Sequence, residues 1–318
     1  MTIQKRTLIL SGGVTLKTVR QISPLGKRFK KSSIFYFFMI PGFFYFILFQ
    51  YFPIANMYIA FFEFNLNGLG KFIGIQNFVE MFQTQSFYRV FGNTLLLSGL
   101  NIVLSMFVIL TLSLLLNEIK YRTLKKTVQT LIYLPHFLSW VVVASVFHLL
   151  LSPQTGLVNF IIKSFGGEPI YFLAKEVWWR PIYLFILLWR ETGWGTVIFL
   201  AALSGVDPQL YEAAEIDGAN RFRQMQVITL PHLMPTIAAV LIMNISRILN
   251  LFQSVLVLYS PIVYDVSDVI ETYVYRRGLI DADYDYGTAV GIFKAVIAFV
   301  LVISANKIVK KIRGEGII

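Results

Sequence analysis

The chain runs to 318 residues, 56% of them hydrophobic and 14% charged, with a mean hydropathy of +0.67 and a formal net charge of +11. Soluble domains carry roughly 25% charged residues, so this composition belongs to an integral membrane protein in contact with lipid; the basic excess lies at span ends with no nucleic-acid motif, which argues against a nucleic-acid partner. Cysteine is absent, ruling out disulfides, thiol catalysis and cysteine-held metals, and His136, His148 and His232 are too dispersed for a ligand set, so no metal is expected.

In chain order, residues 1–33 form a basic tail with Lys5, Arg6, Lys17, Arg20, Lys27, Arg28, Lys30 and Lys31 and no acid. That tail is long, and the apolar run behind it exceeds a signal-peptide core, so an uncleaved anchor is expected. An apolar helix needs about 20 residues to cross the hydrocarbon layer. Six stretches meet that length. The first opens with IFYFFMIPGFFYFILFQYFP at Ile34 and stays apolar to about Phe62, with Pro41 and Pro53 tolerable if neighbours satisfy the freed carbonyls. The others run near Asn93–Leu116, Val128–Leu151, Pro181–Leu203, Leu233–Leu258 and Tyr286–Asn306. No internal repeat or low-complexity tract is visible.

Lysine and arginine set the orientation. The N-terminal tail, the connection with Lys120, Arg122, Lys125 and Lys126, and the C-terminal segment with Lys307, Lys310, Lys311 and Arg313 share one side of a six-span chain. The last loop on the other side holds Asp265, Asp268, Glu271, Asp281, Asp283 and Asp285 against Arg276 and Arg277. Both termini are therefore expected in the cytoplasm, with a membrane domain over 34–309, a tail over 310–318 and the polar loop 205–232 inside the cell. The loop from Tyr259 to Tyr286 is expected to dock an external protein or to stand solvated.

The polar loop departs from the apolar chain around it. Asp207-Pro208 reads as N-cap and first helical residue. Gln209–Ile216 then forms a short helix, Asp217-Gly218 breaks it, and Ala219–Thr229 forms a second. Leu230-Pro231 is expected to stop the second helix and turn the chain toward the bilayer. Ala213 and Ala214 allow close approach by another surface, and Gly218 permits a backbone angle other residues resist. On pattern alone, a connecting loop lying on the membrane is an equal reading.

The order Glu-Ala-Ala, three residues, Gly, nine residues, Ile, one residue, Leu-Pro is filled by Glu212, Ala213, Ala214, Gly218, Ile228, Leu230 and Pro231. This resembles the signature of permease subunits of binding-protein-dependent type I ABC importers. The segments FIGIQNFVEMF (72–82), LLLNEIKYRTLKKTVQTLIYLPHFLSWVVVA (114–144) and ETYVYRRGLIDADYDYGTAVGIFK (271–294) look like the carbohydrate branch, nearest those handling oligosaccharides and fragments of complex polysaccharides. The resemblance implies an all-α integral membrane protein of six transmembrane helices, with cytoplasmic coupling helices between the fourth and fifth. It implies that Glu212 contacts an ATPase and that Gly218 is the pivot of the loop. It implies a second permease subunit, two cytoplasmic ATPases carrying the ATP and Mg, and an extracytoplasmic solute-binding protein in a bacterial inner membrane. No phosphate-binding glycine loop is present, so this chain is not expected to be an enzyme or to hold a cofactor.

Charges within apolar spans usually face protein or water. Arg190, Glu191, Arg247 and Lys294 are the candidates; Arg190 and Glu191, being adjacent, are not expected to face each other. On the fifth span Asn244, Arg247, Asn250 and Ser254 are expected to lie on one stripe, a candidate polar wall for a sugar. Bonding between helices or subunits is the equal alternative, and Lys294 fits a structural pair with an acid as well as a pathway. Trp140, Trp189, Trp194 and Tyr259 are candidates to stack on sugar rings. Other solutes (amino acids, peptides, anions) and a secondary transporter are the rival functions; the latter often shows matched broken helices, and neither symmetry nor a broken helix is legible.

Overall fold

The computed structural model describes residues 25–65 and 68–313. The first 24 residues of the predicted basic tail 1–33 and the last five residues of the chain lie outside the described residues. The chain forms two compact units, Met1–Met57 and Tyr58–Ile318. Five helical stretches are long and apolar enough to cross a membrane: Ile34–Phe61, Gln85–Glu118, Glu176–Leu203, Arg221–Ser246 and Tyr284–Lys311. A bent pair, Arg122–Phe137 with Trp140–Leu151, makes six if counted as one span.

In the first unit α1 (Leu25–Phe46) runs through Pro41 into a π turn at Ile47–Tyr51 and then α2 (Phe52–Ala55). The Phe52 N–H bonds the Ile47 carbonyl, a one-residue slip just before Pro53. A proline cannot donate to the helical ladder, and the wider turn sets the register ahead of it.

The second unit carries a short antiparallel hairpin, β1 (Phe62–Asn65) with β2 (Gly68–Phe72), then α3 (Gln76–Gln83), which buries Asn77 and Met81. The 34-residue α4 (Gln85–Glu118) follows, then α5 (Arg122–Tyr133), α6 (Trp140–Leu151), α7 (Leu157–Ser164) and the 28-residue α8 (Glu176–Leu203). α9 (Pro208–Ile216) and α10 (Arg221–Gln224) form the polar loop, and α11 (Leu230–Ser246) returns through the apolar layer. Short helices α12 (Phe252–Leu256), α13 (Tyr264–Ser267) and α14 (Ile270–Val274) lead to the final α15 (Tyr284–Arg313).

Two predicted spans are not continuous. The third bends by 102° at Leu138-Ser139. Leu134-Pro135 opens a 3-10 turn, and Ser139 restarts the chain as an N-cap, its hydroxyl accepting from Val142 N at 3.3 Å. The fifth stops at Ser246: residues 247–251 are non-helical, and only the five residues of α12 follow. The predicted stripe of Asn244, Arg247, Asn250 and Ser254 therefore does not exist as one helical face. No glycine or proline marks this break, so periodicity alone carried the helix straight through it.

α8 is the central element. A β-carbon at Gly193 would lie 2.0 Å from the Ile132 carbonyl oxygen of α5, and one at Gly195 would lie 2.4 Å from Ile109 of α4. Bare backbone at these two positions lets three helices approach. Trp179, Tyr183, Ile186 and Leu187 of α8 fill one core with Val143 of α6 and Leu251, Val255 and Leu258. Phe199 and Leu203 fill another with Met106 and Ile109 of α4 and Leu233 and Val240 of α11.

Gly193→Ala is expected to destabilise the fold by about 1–3 kcal/mol through overpacking. It should be read as a fall in melting temperature of the purified, detergent-solubilised protein. Gly291→Ala, where nothing lies within 4 Å, should be neutral or slightly stabilising. Equal melting of the two variants would contradict the close α5–α8 approach.

Candidate functional site

The polar loop is built by helix-end chemistry. Asp207 accepts from Gln209 N at 2.9 Å and Pro208 takes the first helical position, so α9 starts where the sequence places it. It ends in a left-handed corner: Gly218 has φ +76°, with Ala219 N bonding Ala214 O at 2.9 Å and Gly218 N bonding Glu215 O at 3.1 Å. These two bonds satisfy the last carbonyls of the helix, and the corner angle favours glycine. Asn220 then caps α10, accepting from Arg223 N at 2.9 Å. Buried Gln224 donates back to Ala219 O at 3.0 Å, and the Tyr211 and Thr229 hydroxyls pair at 2.9 Å, closing the two helices on each other.

Glu212 and Ala213 are exposed, Ala214 is half-buried, and Gly218 is exposed at the corner. Ile216 is 87% exposed and Phe222 62%. Ile228 and Leu230 are half-buried and Pro231 is exposed. Leu230-Pro231 does not stop the second helix. The helical run continues from Arg221 to Ser246, with a π turn at Met225–Thr229 and the Leu230 N–H bonded to Met225 O. The turn again lies just before a proline, as at Pro53, and absorbs the missing donor.

The break in the fifth span is the second feature. Leu249 is buried in a core with Ile270, Tyr273 and Tyr286, and Leu251 in the core around Trp179 and Tyr183. Arg247 and Asn250, interleaved with them, are exposed, and Asn244 is half-buried. Neighbours satisfy the broken backbone. Ser98 Oγ donates to Ile248 O, and Glu271 Oε2 accepts from Phe252 N at 2.6 Å. The other oxygen of Glu271 pairs with Lys294 Nζ. Ser254 is buried against the Tyr183 hydroxyl at 2.8 Å.

Arg190 occupies the bend of the third span. Its Nη2 and Nε donate to Leu138 O at 3.0 and 3.1 Å, its guanidinium lies 4.6 Å from the Trp140 ring centre, and Nη1 pairs with Glu191. The expectation that these adjacent residues avoid each other is therefore wrong: the long Arg190 side chain curls back along the helix surface. Glu191 also meets His136 Nδ1 at 3.0 Å, and the His136 ring stacks on Trp194 at 5.0 Å. Trp189 packs edge-on against Phe147 at 5.4 Å, and Tyr259 lies 5.0 Å from Tyr264. The predicted wall of Asn244, Arg247, Asn250 and Ser254 is thus not one helical face, and Trp189, Arg190 and Lys294 lie on other elements. Asn244, Arg247 and Asn250 cluster at the break, Ser254 and Lys294 support it, and Trp189 and Arg190 belong to the bend. Glu271, His136 and Tyr183 were missed as partners because their contacts cross between elements.

The acidic loop is packed into the fold rather than solvated throughout. Ser267, Val269, Ile270 and Thr272 are fully buried, and Asp268 is 2% exposed. Asp268 holds Arg276 at 2.5 Å, and Arg89 pairs with Asp265. Arg277 joins Glu80 and Asp283 over the Tyr286 ring, while Asp285 accepts from Asn77 at 3.4 Å. Burial holds the Asp283 carboxyl above the usual carboxylate range, against the pull of Arg277 and with the push of Asp285. The Tyr259 hydroxyl is pushed up to about 12 by burial and by Tyr264. Arg180 locks the loop to the helices, donating to Asn93 Oδ1 at 2.7 Å and Val266 O at 3.2 Å.

Comparison with known proteins matches these features to a family. The profile described as "Binding-protein-dependent transport system inner membrane component" matches residues 109–314, which contain the polar loop, the bend and the break. The polygalacturonan/rhamnogalacturonan transport system permease protein YteP of Bacillus subtilis (strain 168) is 45% identical over 286 residues, 89% of each chain. A chain of a bacterial ABC transporter importing the acidic polysaccharide alginate superposes with a TM-score of 0.86 at 39% identity, covering 92% of this chain and all of that one. A second structure of a bacterial alginate ABC transporter, in complex with an alginate pentasaccharide-bound periplasmic protein, covers 93% of this chain at the same identity and score. The chain belongs to the family of inner-membrane permease components of binding-protein-dependent ABC transport systems.

Proposed function

We propose that this chain is one permease half of an ATP-driven importer that carries an oligosaccharide or polysaccharide fragment into the cytoplasm by alternating access. The observation that carries the reading is the capped loop Asp207–Leu230, whose left-handed Gly218 corner presents Glu212 on an exposed surface. The sugar class rests on the sugar-transporting relatives and structural neighbours. The distribution of Lys and Arg supports a reading with this loop and both termini in the cytoplasm and the acidic loop outside. There Glu212, Ala213 and Ala214 meet a groove on an ATPase subunit, Gly218 sets the angle between α9 and α10, and Ile228, Leu230 and Pro231 join the lever to α11. ATP and Mg reside on two separate ATPase subunits. A second permease subunit completes the pathway, and an extracytoplasmic binding protein delivers the sugar. Asn244, Arg247 and Asn250 line that pathway at the broken span, where irregular backbone is tolerated because protein or water meets it.

Two experiments test this. A β-branched residue at a left-handed position costs about 1–2 kcal/mol, and a misaligned lever should cost more in coupling than in folding. Gly218→Val and Glu212→Ala, reconstituted with the cognate partners, should leave membrane insertion intact. They should lower binding-protein-stimulated ATPase and sugar uptake by about tenfold or more, equivalent to about 1.4 kcal/mol. Normal coupled uptake in the Gly218 variant, or uptake by this chain driven by an ion gradient without ATPases, would overturn the importer reading. Separately, single cysteines at positions 244, 247 and 250, in a chain with no native cysteine, should react with polar thiol reagents at rates that differ between nucleotide-free and ATP-trapped complexes. Inertness in both states would remove these residues from the pathway.

A further inference from the structure

Among the described residues, Arg190, Lys294 and Arg247 are cations within the apolar stretches of the sequence, and the structure treats them differently. Arg190 is spent on Glu191, the Leu138 carbonyl and the Trp140 ring. Lys294 is spent on Glu271, which in turn holds Phe252 N. Arg247 is different. Its backbone closes the end of α11, with its N–H bonding Asn244 O at 3.1 Å and its carbonyl accepting from Asn250 N at 2.9 Å. Its guanidinium is exposed and has no ionic or hydrogen-bonding partner among the described residues.

The placement is not loose. Leu249 and Leu251 are anchored in two separate cores. The backbone of the break is therefore fixed, and Arg247 and Asn250 project away from the packed side. Arg247 follows directly on the apolar helical span Arg221–Ser246 and is flanked on its other side by the apolar residues Ile248, Leu249, Leu251 and Phe252. A lone guanidinium there is costly against lipid and tolerable only beside water or an anion. Its planar fork of donors fits a carboxylate, and the amide side chains of Asn244 and Asn250 beside it suit hydroxyl groups.

We infer that Arg247 is the carboxylate-recognising residue of the pathway, selecting for sugars that carry uronic-acid groups. This rests on the sugar-import reading and deepens it by assigning the charge of the cargo to one side chain. The break supplies what a continuous helix lacks: a cation held by rigid backbone yet left unpaired for a passing anion.

The test uses the full complex with its partner permease and ATPases in nanodiscs, carrying Asn250→Cys as the reporter. With Arg247 present, an anionic methanethiosulfonate reagent should modify the reporter faster than a cationic one. Trigalacturonate should slow that modification while its methyl ester does not. Arg247→Gln should lower the anionic-to-cationic rate ratio about 10- to 100-fold, the range expected for losing a charge-assisted contact, and abolish protection by trigalacturonate. Arg247→Lys should restore much of the rate ratio and only part of the protection. Inertness of the reporter, an unchanged ratio in Arg247→Gln, absence of protection by trigalacturonate, or equal protection by acid and ester would each overturn the assignment. An acid of the partner permease neutralising Arg247 would show itself as an unchanged ratio. ATP-driven sugar uptake by the unmodified complex is measured alongside. Its loss would count against sugar import itself, whereas intact uptake with a failed charge test overturns only the role of Arg247.

Discussion

A helix that stops inside an apolar layer leaves amides and carbonyls with no water to meet them, and the architecture of this chain answers that constraint element by element. At the bend of the third span the exposed carbonyl is Leu138, and Arg190 reaches it from α8. At the break in the fifth span Ile248 O is met by Ser98 of α4, and Phe252 N by Glu271 of the acidic loop. Before Pro53 and Pro231 the ladder slips by one residue into a π turn, so the missing donor falls where the register already shifts. The π turns are local, whereas the bend and the break are each tied to a partner on a distant element, and these ties join the acidic loop to the spans within the second unit.

The same constraint separates charges that hold the structure from a charge left for another use. Arg190 and Lys294 belong to partly buried pairs, and removing either member leaves the other charge without its partner. Arg190 and Lys294 are therefore fixed by their structural duties. Five of the six acids of the loop, Asp265, Asp268, Glu271, Asp283 and Asp285, have partners within the chain, while Asp281 is exposed. Net charge of a loop is thus a poor guide to what it offers a partner. What remains available is the surface of α9 and α10 at one end and Arg247 with Asn250 at the break.

The elements that follow local rules were legible in the sequence. Asp207-Pro208 announced the start of α9 and Asp217-Gly218 its end, because capping and left-handed corners depend on residues a few positions apart. Span number and the polarity of the loops followed from hydropathy. The bend at Leu138 and the break at Arg247 were not legible. Nothing local forbids helix through Asn244–Ser254; the helix ends there because Leu249 and Leu251 are drawn into two cores and because Glu271, nineteen residues on, caps the restart. The polar residues Asn244, Arg247, Asn250 and Ser254 stood out from the apolar sequence, but a helical template turned them into a stripe. Pro231 misled in the opposite direction, since a proline at the start of α11 was read as a stop although a π turn carries the helix across it.

The break gains meaning from its connection to the polar loop. From Leu230 to Ser246 the chain is a single α-helix of 17 residues, roughly 25 Å long at 1.5 Å per residue. A π turn lies at its lower end and the non-helical segment 247–251 at its upper end. Leu233, Ala238, Val240 and Ile242 are buried, so the rod is guided along its length rather than free. Under the proposed reading, a displacement of α9 and α10 enters a stiff element at its base. That element ends at the segment carrying Arg247 and Asn250, which Leu249 and Leu251 anchor in two cores. The polar loop and the cation are two ends of one helix, and a motion that tilts α11 is transmitted to Arg247 and to the cores that hold its neighbours.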